Sequence, residues 1–216
     1  MIAYRAALVL GLLAFQFSAY GQSSVSVDRP DIKVGDTWVF QRTDLWSKTI
    51  TVTVVNKVVE STQDGHKVER SNSENGANIG SAIFNKDLNL LQYNDRKFES
   101  VRTLLSFPLI AGKKWEGKTS GRNIANDGNT NDTNQYEVVS FEKVVVPAGS
   151  FDAFKIVANG DYNNSNGQGT WGGKQFRTYW YAPSVKRFVK FEYKDTGPRG
   201  VWNNWVDELV KFELAK

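Results

Sequence analysis

Apolar positions recur every second residue over most of this chain. Ile50, Val52 and Val54 alternate with Thr49, Thr51 and Thr53, a period-2 pattern rich in β-branched residues. Asp64-Gly65 follows and predicts a two-residue hairpin turn into His66–Ser71. Ile79, Ser81 and Ile83 alternate with Gly80, Ala82 and Phe84, and Asn85-Lys86-Asp87 turns that strand toward Leu88–Tyr93. Asn94-Asp95 turns the chain again. Val189, Phe191 and Tyr193 then alternate with Lys190 and Glu192, and Val210, Phe212 and Leu214 alternate with Lys211 and Glu213. Beyond the N-terminal segment no apolar stripe recurs at helical spacing. The pattern predicts roughly ten strands, each followed by a turn, as in an antiparallel all-β domain with little helix.

Two stretches break the alternation. Gly121–Gln135 and Gly160–Gly169 are dominated by Asn, Asp, Gly and Thr. Neither has apolar surface to bury, so both are expected to be exposed loops. A Gly-x-x-Trp cadence occurs twice, at Gly35–Trp38 and Gly112–Trp115. It predicts a positive-φ turn at each glycine and a tryptophan packing inward at the start of a strand.

The N-terminus changes the picture of where the protein works. A single positive charge at Arg5 precedes an apolar run from Ala6 to Phe17, and Ser18-Ala19-Tyr20-Gly21 supplies small residues for cleavage after Gly21. Residues 1–21 read as a secretory signal peptide, too short to span a bilayer, and residues 22–216 as one exported domain, periplasmic or extracellular. With no cysteine there is neither a lipidation site nor a disulfide framework. Of 27 Lys and Arg only Arg5 is lost on cleavage, leaving 26 against 23 Asp and Glu. That mild excess is spread along the chain without a basic run, so nucleic-acid binding is not expected.

Four segments occur in order: Lys33-Val34-Gly35-Asp36-Thr37-Trp38-Val39-Phe40, Phe107-Pro108-Leu109-Ile110-Ala111-Gly112-Lys113-Lys114-Trp115, Val146-Pro147-Ala148-Gly149-Ser150-Phe151, and Tyr179-Trp180-Tyr181-Ala182-Pro183-Ser184-Val185-Lys186-Arg187. This succession resembles a group of exported bacterial proteins built on one strongly curved antiparallel sheet. Their fold is similar to the half-barrel of lipoprotein carriers of the LolA and LppX kind. The resemblance runs over about residues 30–213. It implies a half-barrel or open barrel and carries over no catalytic or binding residue. The residues themselves read as hairpin punctuation. Pro147 stiffens a turn, Gly149 supplies positive φ, and Ala182-Pro183 ends a strand because proline cannot donate to the ladder. Alternation puts Trp180 on the face opposite Tyr179 and Tyr181.

Catalytic chemistry finds few residues to use. His66 is the only histidine and is expected to be a solvated turn residue. One His and no Cys exclude the usual transition-metal clusters and Cys-His pairs. Asp207 and Glu208 are adjacent and so face opposite ways, while Glu137, Glu142 and Glu192 are scattered over different strands. Asp127–Asp132 places oxygen ligands at alternate positions, as a calcium loop does. It has Asp132 where that loop needs glycine and Val138 where it needs glutamate. No cofactor or metal is expected.

Tryptophan is the richest functional clue, with seven in the chain. Trp38, Trp115 and Trp180 are assigned to packing. Trp46, Trp171, Trp202 and Trp205 lie near Gly, Asn or Ser at strand ends, where they would stack on sugars or line the mouth of an apolar cavity. The expectation is an exported, non-enzymatic binding protein that holds a lipophilic or glycan ligand on the concave face of its sheet. The alternative is a structural protein of the bacterial envelope that docks a protein partner through a sheet edge or face.

Overall fold

The computed structural model describes residues 25–216; the expected signal peptide, residues 1–21, lies outside them. The first strands are β1 (Ser26–Val27), β2 (Thr37–Asp44), β3 (Ile50–Ser61), β4 (Gly65–Asn72), β5 (Asn78–Asn85), β6 (Leu90–Tyr93) and β7 (Arg96–Arg102). They are followed by β8 (Leu109–Ile110), β9 (Lys114–Asn123), β10 (Gly128–Val146), β11 (Gly149–Asn166) and β12 (Gly169–Ala182). A 3-10 turn at Pro183–Val185 leads to β13 (Arg187–Gly197) and β14 (Gly200–Glu213).

Twelve of these strands form one closed antiparallel barrel, each bonded to its neighbour in sequence, and β1 pairs with β8 beside it. The expected open half-barrel of roughly ten strands is therefore corrected on two counts. First, β14 pairs with β2 from Trp205↔Asp44 to Glu213↔Thr37, which consumes both free edges. Closure removes the unpaired N–H and C=O groups that an open sheet would expose. Second, the two polar stretches are strands rather than loops. Gly121–Gln135 belongs to the β9–β10 hairpin and Gly160–Gly169 to the β11–β12 hairpin. Their inward side chains at that end are polar too, including Thr130, Asp132 and Asn134, all buried. Hydrophobic alternation therefore could not reveal them.

The lower end of the barrel is filled. Trp38, Phe84, Leu105, Leu109, Phe154, Tyr181 and Leu209 pack there with Val185 from the 3-10 turn. Two of the sequence motifs meet at this floor. Trp38 Nε1 donates to the Val185 carbonyl at 2.9 Å. Asp36, fully buried, accepts from the Lys33 and Ala215 amides at 3.0 and 2.8 Å and faces Lys186 Nζ at 3.4 Å. Gly35, Gly112 and Gly149 all have positive φ, as the turns require. Gly65 does not. It is needed because a Cβ there would lie 2.0 Å from the Phe84 carbonyl oxygen.

His66 corrects a second expectation. It is buried beside this floor rather than solvated. The Ser61 hydroxyl donates to the Ile32 carbonyl at 2.9 Å, so it accepts from His66 Nδ1 at 3.0 Å, which assigns the proton to Nδ1. Burial first, then the charges of Lys86 and Arg187, hold the imidazole below its ordinary pKa and keep it neutral.

Candidate functional site: the barrel lumen

An eight-stranded barrel is about filled by its own side chains, whereas twelve strands leave room inside. Here the room is a cavity of about 640 Å³ above the packed floor, within the ~300–1,000 Å³ range of small-molecule sites. Strand alternation decides what faces it. Directly opposed residues Tyr179↔Phe191, Arg177↔Tyr193 and Gln175↔Asp195 turn inward from β12 and β13, and Asp207, Trp205 and Asn203 continue the same rows on β14. The β10 strand alternates buried and exposed residues along most of its length.

One side of the lumen is an aromatic shelf. Tyr179 and Phe191 stack with centroids 4.5 Å apart, and Trp205 meets Phe191 edge-on at 5.1 Å. Phe40, Val52, Val54, Phe84 and Leu90 extend the apolar lining through β2 to β6. Glycines keep neighbouring strands close across the wall. A Cβ on Gly160 would lie 1.9 Å from the Thr133 carbonyl oxygen, and one on Gly173 1.6 Å from that of Thr196.

Charge is the other feature of the lining. Arg42, Arg70, Arg96, Arg102, Arg177 and Arg187 border the cavity against only Asp132, Asp195 and Asp207, a surplus of three positive charges. Arg42 forms a two-bond fork with Asp207 at 2.8 Å each and lies 3.6 Å over the Trp205 ring. Asp195 accepts from the Tyr193 hydroxyl and from the amide and side chain of Asn203. That leaves Asp132, whose Oδ2 sits 2.9 Å from Arg102 and 3.8 Å from Arg177. Asp132 and Arg177 have side chains only 4% exposed. Arg96 Nε, Arg102 Nε and Arg177 Nη1 are buried with no hydrogen-bond partner among the described residues. Burial, followed by repulsion from Arg102, lowers the pKa of Arg96. Burial also brings Arg187 down to about 10, so at neutral pH it is still a cation. Tyr179 and Tyr193 are pushed up by burial and stay neutral phenols.

Three of the four expected tryptophans line this cavity. Trp171 and Trp202 stand at its rim, near Asn164 and Asn203, and Trp205 lies within. Trp46 is elsewhere. It is 54% exposed in the β2–β3 turn, where its amide donates to Asp44 Oδ1, and it does not border the lumen. Trp38 is buried and Trp115 stacks on Tyr136 at 5.1 Å, whereas Trp180 packs on the outer wall with its indole N–H donating to Glu142. Asp207 and Glu208 do face opposite ways: Asp207 binds Arg42 inside, and Glu208 lies 3.7 Å from Lys190. Asp127 pairs with Arg122 in the β9–β10 turn and Asp132 with Arg102 in the lumen, so the two carboxylates serve different partners.

Sequence reasoning missed the arginines. A signal existed: Arg42 shares the parity of Phe40, and Arg177 that of Tyr179 and Tyr181, so each lies on an apolar strand face. The outer wall carries charge of both signs, with Lys97, Glu99, Glu116 and Lys118 exposed on β7 and β9. A transmembrane barrel instead presents an apolar band there.

No family model matches the chain, and no curated protein does. Solved structures do resemble it. A candidate exported protein of Bacteroides fragilis with a YmcC-like fold aligns with TM-score 0.53 at 16% identity, covering 88% of this chain and 100% of that one. A candidate lipoprotein of Parabacteroides distasonis aligns with TM-score 0.52 at 15% identity, covering 86% and 97%. These likenesses establish the barrel fold. One of these neighbours is described as having a YmcC-like fold, and neither is of the expected LolA and LppX kind by its description.

Proposed function

We propose that this is an exported, non-enzymatic binding protein that carries a lipophilic ligand inside its barrel. The observation that carries this reading is the lumen, about 640 Å³, where aromatic and aliphatic side chains share the wall with arginines and aspartates above a packed floor. Larger up-and-down barrels use such interiors for ligands. What was expected of a concave sheet face becomes the inside of a closed wall, with Trp171 and Trp202 at the entrance. A glycan platform would present its tryptophans as a flat exposed row, whereas Trp205 lies inside beneath Arg42. A docking protein would have its interior filled, and this one has room. The lumen carboxylates are each tied to Arg or Asn partners, which suits holding a ligand better than turning one over. Native mass spectrometry of protein purified without detergent from its own envelope tests the reading. A stoichiometric adduct released by organic solvent is expected, and bare polypeptide alone would overturn it.

A further inference from the structure

We propose that the ligand is an anionic amphiphile whose carboxylate or phosphate head sits among Arg96, Arg102 and Arg177. This rests on the lumen being the ligand site and adds the chemical class. Arg102 and Arg177 share a single carboxylate, Asp132, Arg96 lies within the field of Arg102 and Asp132, and one nitrogen on each of the three is buried without a partner among the described residues. An unpaired cationic donor away from water loses its hydration without replacement, so like charges are brought together only where something offsets them. Guanidinium presents a planar fork that matches the paired oxygens of a carboxylate or phosphate. A cavity with low-dielectric walls concentrates this positive field at its mouth and draws anions in.

Topology supplies the second half of the recognition. In the twelve-strand order, β10, which carries Asp132, lies diametrically opposite β3, which carries Val52 and Val54. The Asp132 cluster therefore faces Val52 and Val54 across the lumen, in a stretch of wall flanked by Arg42 on β2 and Arg70 on β4. A molecule satisfying both has an oxyanion head and an apolar body. A free inorganic anion would leave the aromatic shelf unused, and a neutral lipid would leave the guanidiniums unpaired.

Calorimetric titration with dodecanoate, dodecyl phosphate, dodecanol and inorganic phosphate separates these cases. Dodecanoate or dodecyl phosphate is expected to bind at least about tenfold more tightly than dodecanol, the scale of one charge-assisted hydrogen bond. Arg96→Gln, at a half-buried position, is expected to weaken the acids about tenfold and leave dodecanol unchanged; Arg177→Met is expected to do so more strongly. Equal binding of dodecanol and dodecanoate would overturn the anionic head and leave the lipophilic site standing. Inorganic phosphate binding as tightly as dodecyl phosphate would overturn the apolar body. Binding of none of the amphiphiles would overturn the lumen site itself.

Discussion

Asp132→Asn removes the carboxylate shared by Arg102 and Arg177 while keeping the side-chain shape. Arg177 is 4% exposed and cannot shed its proton at neutral pH, so the variant strands a buried cation beside Arg102, which is 21% exposed. Breaking a buried ion pair by removing one partner costs about 3–5 kcal/mol. The lower end applies here, about 3 kcal/mol, because a lumen of this size admits water to the partly exposed Arg102. For a domain of this length each kcal/mol shifts Tm by about 2–4 °C, so a fall of roughly 6–12 °C is expected. Differential scanning calorimetry at pH 7 and low salt reads the shift. The double variant Asp132→Asn/Arg177→Met should recover part of the loss, since the stranded charge is gone, and the two changes should be non-additive by about 0.5–3 kcal/mol. A single-variant loss below about 0.5 kcal/mol, or strict additivity, would refute the claim that Asp132 restrains the guanidiniums.

Other parts of the molecule yield independent expectations. Asp36→Ala removes the acceptor for two amides and the partner of Lys186 at the barrel floor, and urea denaturation should show a loss of about 2–5 kcal/mol. Gly160→Ala pushes a Cβ into the Thr133 carbonyl, so its melting temperature should fall by several degrees, and an unchanged Tm would contradict the close approach of β10 and β11. His66 has a folded pKa below its unfolded value near ~6.5, so stability is full above that pH and declines as pH falls through it, because the unfolded chain takes the proton first. The stability of His66→Gln should depend less steeply on pH between 6.5 and 5 than that of the parent protein, and identical slopes would contradict a neutral buried imidazole.

Features set by neighbouring residues were legible in the sequence. The positive-φ glycines at 35, 112 and 149, the strand end at Ala182-Pro183 and the outward Trp180 all follow from local chemistry. Closure was not legible, because the β14–β2 seam joins residues 161 (Trp205↔Asp44) to 176 (Glu213↔Thr37) positions apart and depends on the summed curvature of every strand between them. The polar halves of β10 and β11 were hidden for another reason. Thr130, Asp132 and Tyr162 line the polar side of the lumen, so both faces of these strands carry hydrophilic residues and the period-2 hydrophobic signal vanishes. Trp171 and Trp202, expected near strand ends, border the cavity near the ends of β12 and β14, whereas Trp205 borders it from within β14. The arginines beside them were not singled out, because an arginine on an apolar face looks like an exception until the register brings several into one chamber.

A crystal structure with 12-bromododecanoate tests the central claim most directly. The account predicts an anomalous bromine peak inside the barrel, against the apolar wall of Phe40, Val54 and Phe84, with the carboxylate within about 3.2 Å of the Arg177 or Arg96 guanidinium. Bromine on the outer wall alone, or an empty lumen at saturating ligand, would contradict it.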